Sequence, residues 1–469
     1  MSKFKAANAA QLFLLPPSVE DYVPEGHLAR LIDEVVDTLD TRAIEAKYSL
    51  LGQKSYHPKL LIKLLFYGYS RGVNSGRKIA SLCESDTAYM YLARQYRPDF
   101  RTINDFRKNN IKSIETFFVD ILRMCVKLGL GKVGSLIMDS TKLRANASGN
   151  KSRDKVGYQR WQQKLSEQIK EGLAQGVKED EEEDEIFGEN RGDELPEELR
   201  KKASLKSKIQ QVLEELKKED EKVNLTDTDA KFIKDKSVLS LNYSCQVGIT
   251  EDRLIVAAYA TNEASDKKQL SKIIEHAEKN VQRNFNVVLA DSGYASYDNY
   301  QWLEEKAKTA YIPDQEFVSE KKKQTNPYHR NHFIYQAQTD CYLCPQGKPL
   351  IFQSNYENKK LKQQSRIFQG TQCHQCQVKS SCTSAACRTI HQELREHLRA
   401  KARSNLTSEQ GKKLYGKRKS TIESVFGNLK HNLKYRMFQL RGLLKVNSEF
   451  LLMCIAHNLK LIHQIKQVI

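Results

Sequence analysis

Apolar positions recur three and four apart through the first 130 residues. After Pro24-Glu25-Gly26, Leu28, Leu31, Ile32, Val35, Val36 and Leu39 make one face of a helix. Pro58 opens a second helix, which Leu60, Leu61, Ile62, Leu64, Leu65 and Phe66 make apolar nearly all round, as at the centre of a bundle. Gly68, Gly72 and Gly76 are expected to break it. Short helices should follow around Arg77 to Cys83 and Ala88 to Ala93. Thr102 to Asp105 reads as a capping box that opens a longer helix through Phe106, Ile114, Phe117, Phe118, Ile121 and Leu122.

The period then changes. Leu136-Ile137-Met138 is a short apolar run, read as a buried strand, and it ends on Asp139. Tyr243 to Thr250 and Leu254 to Ala260, joined by Glu251-Asp252-Arg253, predict a β-hairpin. A helix over 266–280, a strand over 287–290 ending on Asp291, a helix over 300–308 and a strand over 310–312 complete the series. Three strands followed by alternating helices and strands match a ribonuclease H-like α/β layer. In that layer the first and fourth strands are neighbours, which would bring Asp139 beside Asp291.

Two stretches interrupt this order. Residues 151–224 contain Trp161 but few other large apolar residues, and Glu179 to Glu185 is wholly acidic. The stretch reads as a charged insertion, partly helical and partly disordered, in which Ile209, Val212, Leu213 and Leu216 make a thin stripe on a helix over 201–222. Residues 313–400 hold six of the ten cysteines: Cys341, Cys344, Cys373, Cys376, Cys382 and Cys387. The division expected is a helical DNA-binding domain over 1–130, a core over 131–150 and 225–312, insertions over 151–224 and 313–400, and a basic helical part of the core over 401–469.

Composition bounds the function. A net charge of +18 points to a polyanionic partner. The lack of a long apolar run or a secretory leader pattern leads us to expect a cytoplasmic chain without a membrane span. Cysteines in that compartment suggest metal binding rather than disulfides. The spacing of Cys341-Tyr-Leu-Cys344 and Cys373-His-Gln-Cys376 suggests two knuckles around a structural zinc ion. Cys83, Cys125, Cys245 and Cys454 are expected in cores.

Adjacent carboxylates repel, and divalent cations relieve that repulsion; two such ions can clamp the oxygens of a phosphodiester. A third carboxylate is expected at Glu423. There Ile422, Val425, Phe426, Leu429 and Leu433 form one helical face, and Glu423, Gly427 and Lys430 another. Residues 401–469 hold 14 Lys and Arg against three Glu, which suits phosphate contacts.

The chain resembles the DDE transposases of bacterial insertion sequences, in the branch with an N-terminal helical domain and a cysteine cluster before the last catalytic helix. The resemblance rests on Leu14-Leu15-Pro16-Pro17, Val23-Pro24-Glu25-Gly26-His27-Leu28 and His57-Pro58. It continues in Met138-Asp139-Ser140-Thr141-Lys142, Ala145-Asn146-Ala147-Ser148 and Thr226-Asp227-Thr228-Asp229-Ala230. Further on it includes Ala290-Asp291-Ser292-Gly293-Tyr294, Tyr415…Arg418…Glu423…Lys430, Phe438-Gln-Leu-Arg441-Gly442 and His457-Asn458-Leu459. It departs in Glu423-Ser424, where the family often has Glu-Pro, in Asn242-Tyr243, and in the long insertion over 151–224.

The resemblance implies several roles. Asp139, Asp291 and Glu423 would hold two Mg2+ or Mn2+ ions. Tyr415, Arg418 and Lys430 would contact double-stranded DNA, with Lys419, Arg436 and Arg441 in the adjoining basic segments. Cys344, Cys373, Cys376 and Cys382 would hold Zn2+, with Cys341 as the alternative ligand. The activity implied is binding of terminal inverted repeats, strand cleavage and strand transfer, in a homodimer or larger synaptic complex at the bacterial nucleoid. The alternatives are a ribonuclease H-like nuclease without strand transfer and a catalytically silent DNA-binding regulator.

Overall fold

The computed structural model describes residues 18–49, 54–131, 134–187, 197–216, 218–235, 237–320, 326–358 and 363–467. The Leu14-Leu15-Pro16-Pro17 motif lies outside the described residues. Leu136, Ile137 and Met138 are buried in strand β1 (Ser135–Arg144), the middle of a mixed sheet. The other strands are β2 (Lys231–Asp235), β3 (Val238–Ile249), β4 (Ile255–Thr261), β5 (Val287–Leu289) and β6 (Thr309–Tyr311). Their order is β2-β3-β1-β5-β6, with β4 also paired to β3.

β1 runs antiparallel to β3 and parallel to β5. Asn242 pairs with both Arg144 and Lys231, so β1 and β2 lie on opposite sides of β3. The expected hairpin is β3 and β4. The pattern did not reveal β2 or the earlier start of β3, because Lys231, Lys234 and Asp235 leave that pair polar. Consecutive residues of β3 and β4 are buried, so helices cover both faces of the sheet.

The longer N-terminal helices are α1 (Leu28–Thr38), α2 (Pro58–Ser70), α3 (Gly76–Ser85), α4 (Phe100–Asn109) and α5 (Ile111–Lys127), with short helical turns at Arg42–Glu45 and Thr87–Leu92. α2 is buried almost throughout, as its sequence requires. Its Lys63 is paired with Asp33 at 2.7 Å and Asp37 at 2.8 Å, both on α1. Gly68 stays within α2, and the break comes at Gly72, whose φ is +74°. A Cβ there would stand 2.7 Å from the carbonyl oxygen of Leu433, so glycine allows the N-terminal helices to dock on the C-terminal part.

The expected long helix from Thr102 is two helices. Asp99 supplies the cap instead, accepting from the Arg101 and Thr102 amides at 2.6 and 3.2 Å. The Asn110 side chain bonds the Phe106 carbonyl at 2.9 Å where α4 ends and α5 begins.

The insertion forms α6 (Lys155–Phe187) and α7 (Glu197–Glu215), and residues 188–196 lie outside the described set. The acidic run falls within α6 rather than in a loop. The stripe on α7 is not left exposed. Ile209 and Val212 are buried with Tyr158 and Leu165 in a small separate core, against which Trp161, Leu205 and Leu213 pack.

α8 (Leu270–Val281) and α9 (Tyr297–Glu305) follow β4 and β5. The cysteine-rich stretch then builds a second antiparallel sheet that the hydrophobic pattern did not announce. Its strands are β7 (Ile334–Gln336), β8 (Cys341–Leu343), β9 (Pro349–Asn358), β10 (Gln363–Gly370) and β11 (Thr389–Glu393), in the order β11-β10-β9-β8-β7. α10 (Glu396–Thr407) and α11 (Glu409–Gly427) return the chain to the first sheet.

The last helix, α12 (Leu443–Lys466), closes the core. Its N-terminus is held by Asp229, which accepts from the Leu443 amide at 2.7 Å, and by Asp227, which accepts from Gly442 at 3.2 Å. β4 ends the first sheet on its side, and two asparagines of α12 meet its backbone. Asn447 accepts from the Ala260 amide at 2.7 Å and donates to its carbonyl at 3.1 Å. Asn458 does the same to Ile255, at 3.1 and 2.9 Å. The polar edge is thereby covered by side-chain amides. A single apolar core runs from Val23 to Ile462 and joins the N-terminal helices, the first sheet and α12. Among the described residues no helix is long and apolar enough to cross a membrane.

Candidate active site

Asp139 and Asp291 follow from the register of two parallel strands. Ile137 of β1 lies opposite Leu289 of β5, and each strand presents a carboxylate two residues later. Asp291 caps the turn Ser292–Tyr294, accepting from the Gly293 amide at 2.9 Å. Asp139 accepts from the Ser140 amide at 2.7 Å and from the Arg418 guanidinium at 3.0 Å. Burial pushes the Asp139 carboxyl up to about 6; the Arg418 charge opposes the rise, and Asp291 and Asp266 add to it.

Asp266 is the residue that sequence reasoning missed. Its carboxylate accepts from Ser140 Oγ at 2.9 Å and from Gln246 Nε2 at 2.6 Å, and it lies 3.6 Å from Lys142 Nζ. Lys142 in turn donates to Ser140 Oγ at 3.0 Å and Ser244 Oγ at 2.6 Å. The buried Tyr294 hydroxyl donates to Gln246 Oε1 at 2.5 Å. This network ties β1, β3 and the turn after β5 together behind Asp139. A Cβ on Gly293 would meet Asp291 Oδ1 at 2.9 Å and Asp266 Oδ2 at 3.5 Å, so a larger residue there would push the Asp291 carboxylate aside.

α11 packs along β1 and buries Ile422 and Val425, as its periodicity required. Glu423 is exposed and lies 3.8 Å from Lys419, one turn earlier on the same helix. The helix continues into a π-helical turn over Asn428–Asn432, so Glu423 and Gly427 lie on α11 and Lys430 in the turn beyond it. Arg418 faces inward: it is buried against Asp139 and stands over the half-buried Tyr415 ring, 5.7 Å from its centroid. Lys419, Arg436 and Arg441 are exposed, and Lys430 is half-buried. Among the described residues no group of three or more His, Cys, Asp or Glu side chains is arranged to hold a metal ion.

Cys344, Cys373, Cys376 and Cys382 line one cavity of about 40 Å3. Backbone amides point at two of the sulfurs: Lys348 donates to Cys344 Sγ at 3.3 Å and Arg388 to Cys373 Sγ at 3.4 Å. A Cβ on Gly370 would stand 2.5 Å from Cys373 Sγ. Burial raises the Cys382 thiol; Arg388 opposes the rise, and Cys373, Cys344 and Cys376 add to it. Cys341 is buried within β8, 3.1 Å from Thr339 Oγ1, and does not line the cavity. The cavity lining thus includes Cys344, Cys373, Cys376 and Cys382 and leaves out Cys341. Cys83, Cys125, Cys245 and Cys454 are buried.

Two family models match the chain. A transposase domain (DUF772) matches residues 17–109, from the turn before α1 through α4. A transposase DDE domain matches residues 343–463, spanning the four-cysteine cavity, Arg418, Glu423 and most of α12. Asp139 and Asp291 lie outside both matches. A search of curated proteins finds no match. The chain is thus similar to a transposase domain at one end and to a transposase DDE domain at the other, the two folded onto one core, which supports a DDE transposase.

Proposed function

We propose that the protein binds the terminal inverted repeats of its element and carries out metal-dependent strand cleavage and strand transfer at Asp139, Asp291 and Glu423. The observation that most supports this reading is the shared register of β1 and β5, which sets two carboxylates from distant segments at the same level. The strand order fits a ribonuclease H-like layer, with β1 between an antiparallel β3 and a parallel β5. Carboxylates are hard oxygen donors suited to Mg2+ or Mn2+, and the raised Asp139 is a repulsion that a divalent cation would relieve. Two bound ions would supply an activated water and charge stabilisation at the scissile phosphate.

The chain's own residues do the rest. β1 and β5 fix Asp139 and Asp291, while Lys142 and Asp266 hold the Ser140 side chain next to Asp139 on β1. Glu423 joins them from α11. Arg418 exchanges Asp139 for a DNA phosphate, and Lys419, Lys430, Arg436 and Arg441 grip the backbone beside it. The four cysteines suit a structural Zn2+ with every position filled, since thiolates gathered around a cavity and bonded by amides match that ion. Two element ends brought together require a dimer or larger assembly.

The test is cleavage of a duplex carrying the element end, with Mg2+, by wild type and Asp291→Asn. A loss of about 1,000-fold or more in the variant, with binding retained, supports the reading. Equal rates would sink it. Joining of pre-cleaved ends to target DNA separates a transposase from a nuclease. A silent regulator is favoured by one observation, the Arg418–Asp139 pair, and it predicts no metal-dependent cleavage by the wild type.

A further inference from the structure

An open groove of about 650 Å3 lies between the N-terminal helices and the turn that leads into α12. Five cationic side chains line it and no carboxylate does. Arg77, Arg107 and Lys108 come from α3 and α4, and Arg441 and Lys445 from the C-terminal part. The wall carrying Arg441 is preformed. Glu449 lies beneath it and accepts from the Gln439 and Leu440 amides at 3.0 and 2.8 Å. Asn146 donates to the Gln439 carbonyl at 2.7 Å, and Arg441 Nε donates to the Asn146 carbonyl at 2.8 Å.

The opposite wall is equally built. Arg107 is buried and donates to Tyr69, Asn74 and Asn104, yet its Nε has no partner. Ser75 and Gly76 also line the groove, where α3 begins without a side-chain cap. Helix amides, a buried guanidinium and exposed cations on both walls make a site for an extended polyanion. The acidic groups nearby are Asp105, which pairs with Lys108 at 3.2 Å on the rim, the buried Glu449, and Asp227 and Asp229, which accept from the Gly442 and Leu443 amides at the start of α12.

We infer that this groove seats the phosphate backbone of a DNA duplex, and that it does so at a fixed distance from the carboxylates. The inference rests on the function proposed above. The distance comes from β1: Asn146 follows Asp139 by seven residues, no more than about 23 Å of extended chain. Along B-form DNA that is at most about seven base pairs. The groove exists only when the two transposase-matched regions pack together, so it links docking of the N-terminal helices to placement of the bond to be broken.

The experiment measures binding of a labelled duplex of about 30 base pairs by fluorescence anisotropy, across a range of salt. In Arg77→Ala with Lys445→Ala, affinity should fall roughly tenfold and the slope of log affinity against log salt by about 2. The pair Lys272→Ala with Lys279→Ala, exposed on α8, should leave the slope as in wild type. An unchanged slope in the groove variant, or an equal drop in the α8 variant, overturns the groove. If wild type binds no duplex, the proposed function falls with it. If wild type binds and cleaves but the groove variant is normal, only the groove falls. Should the groove variant fail to fold, hydroxyl-radical footprinting of the wild-type complex decides. Protection within about seven base pairs of the cleaved bond supports the seat, and none in that range removes it.

Discussion

The β1 sheet is buried on both faces and its β4 edge is met by the asparagines of α12. The β7–β11 sheet has one packed face, with Phe333, Tyr342, Leu350, Phe368 and Ile390 buried, while Ile351 and Tyr356 of β9 remain 51% and 46% exposed. The first sheet belongs to a core that runs the length of the chain. The second has a core of five buried residues, too little to order a sheet of its size by burial alone. The four gathered thiols stand where the missing stabilisation would come from. Burial holds the first sheet, whereas the inserted module, on the proposed reading, would depend on a metal held by its thiols.

The sharpest way to break this contrast is to remove the thiols. Cys373→Ser, or a strong chelator, should unfold the second sheet, since structural zinc sites contribute on the order of 10 kcal/mol. Amide hydrogen exchange should rise over 334–393 and stay low in β1, β3 and α12. Uniform protection after chelation would mean that apolar packing suffices.

Next in size is the asparagine edge of the first sheet. Asn458→Ala leaves the Ile255 amide and carbonyl without partners and should cost about 1–3 kcal/mol in denaturant unfolding. A similar loss from a substitution at exposed Asn355 in β9 would erase the difference between the two sheets.

The smallest effect is a pH dependence confined to the first region. His457 is buried between the Arg253 carbonyl at 3.0 Å and the Asn428 amide at 2.9 Å. Burial lowers its pKa to about 4, from an ordinary 6.5. Its stabilisation is therefore complete above about pH 6.5 and drains as pH falls toward 4, because the unfolded chain takes up a proton that the folded one refuses. Thermal melting should show a fall of a few degrees over that window. His457→Asn should flatten the slope, and an unaltered slope would assign it to other groups.

The same contrast explains what could be read from the chain. Asp139 and Asp291 were legible because each ends a short apolar run, and a carboxylate at such an exit stands out. The β3–β4 hairpin and the buried α2 were legible from period alone. Asp266 was not: it sits between Ser265 and Lys267 after a polar loop, and only tertiary pairing with Ser140 and Gln246 brings it to the site. The strands of the second sheet were hidden because exposed residues fill β9, leaving no alternation to detect. The resemblance makes Arg418 a DNA contact, while its inward turn depends on Asp139, 279 residues away in sequence.

The most direct measurement concerns convergence of the three carboxylates on one metal site. Fe2+ substituted for Mg2+ in zinc-retaining protein, with ascorbate and peroxide, cuts the polypeptide beside the bound ion. Convergence predicts breaks near residues 139, 291 and 423, all suppressed by excess Mg2+ and all lost in Asp139→Asn. Breaks near 139 and 291 without one near 423, or breaks indifferent to Mg2+, would contradict it.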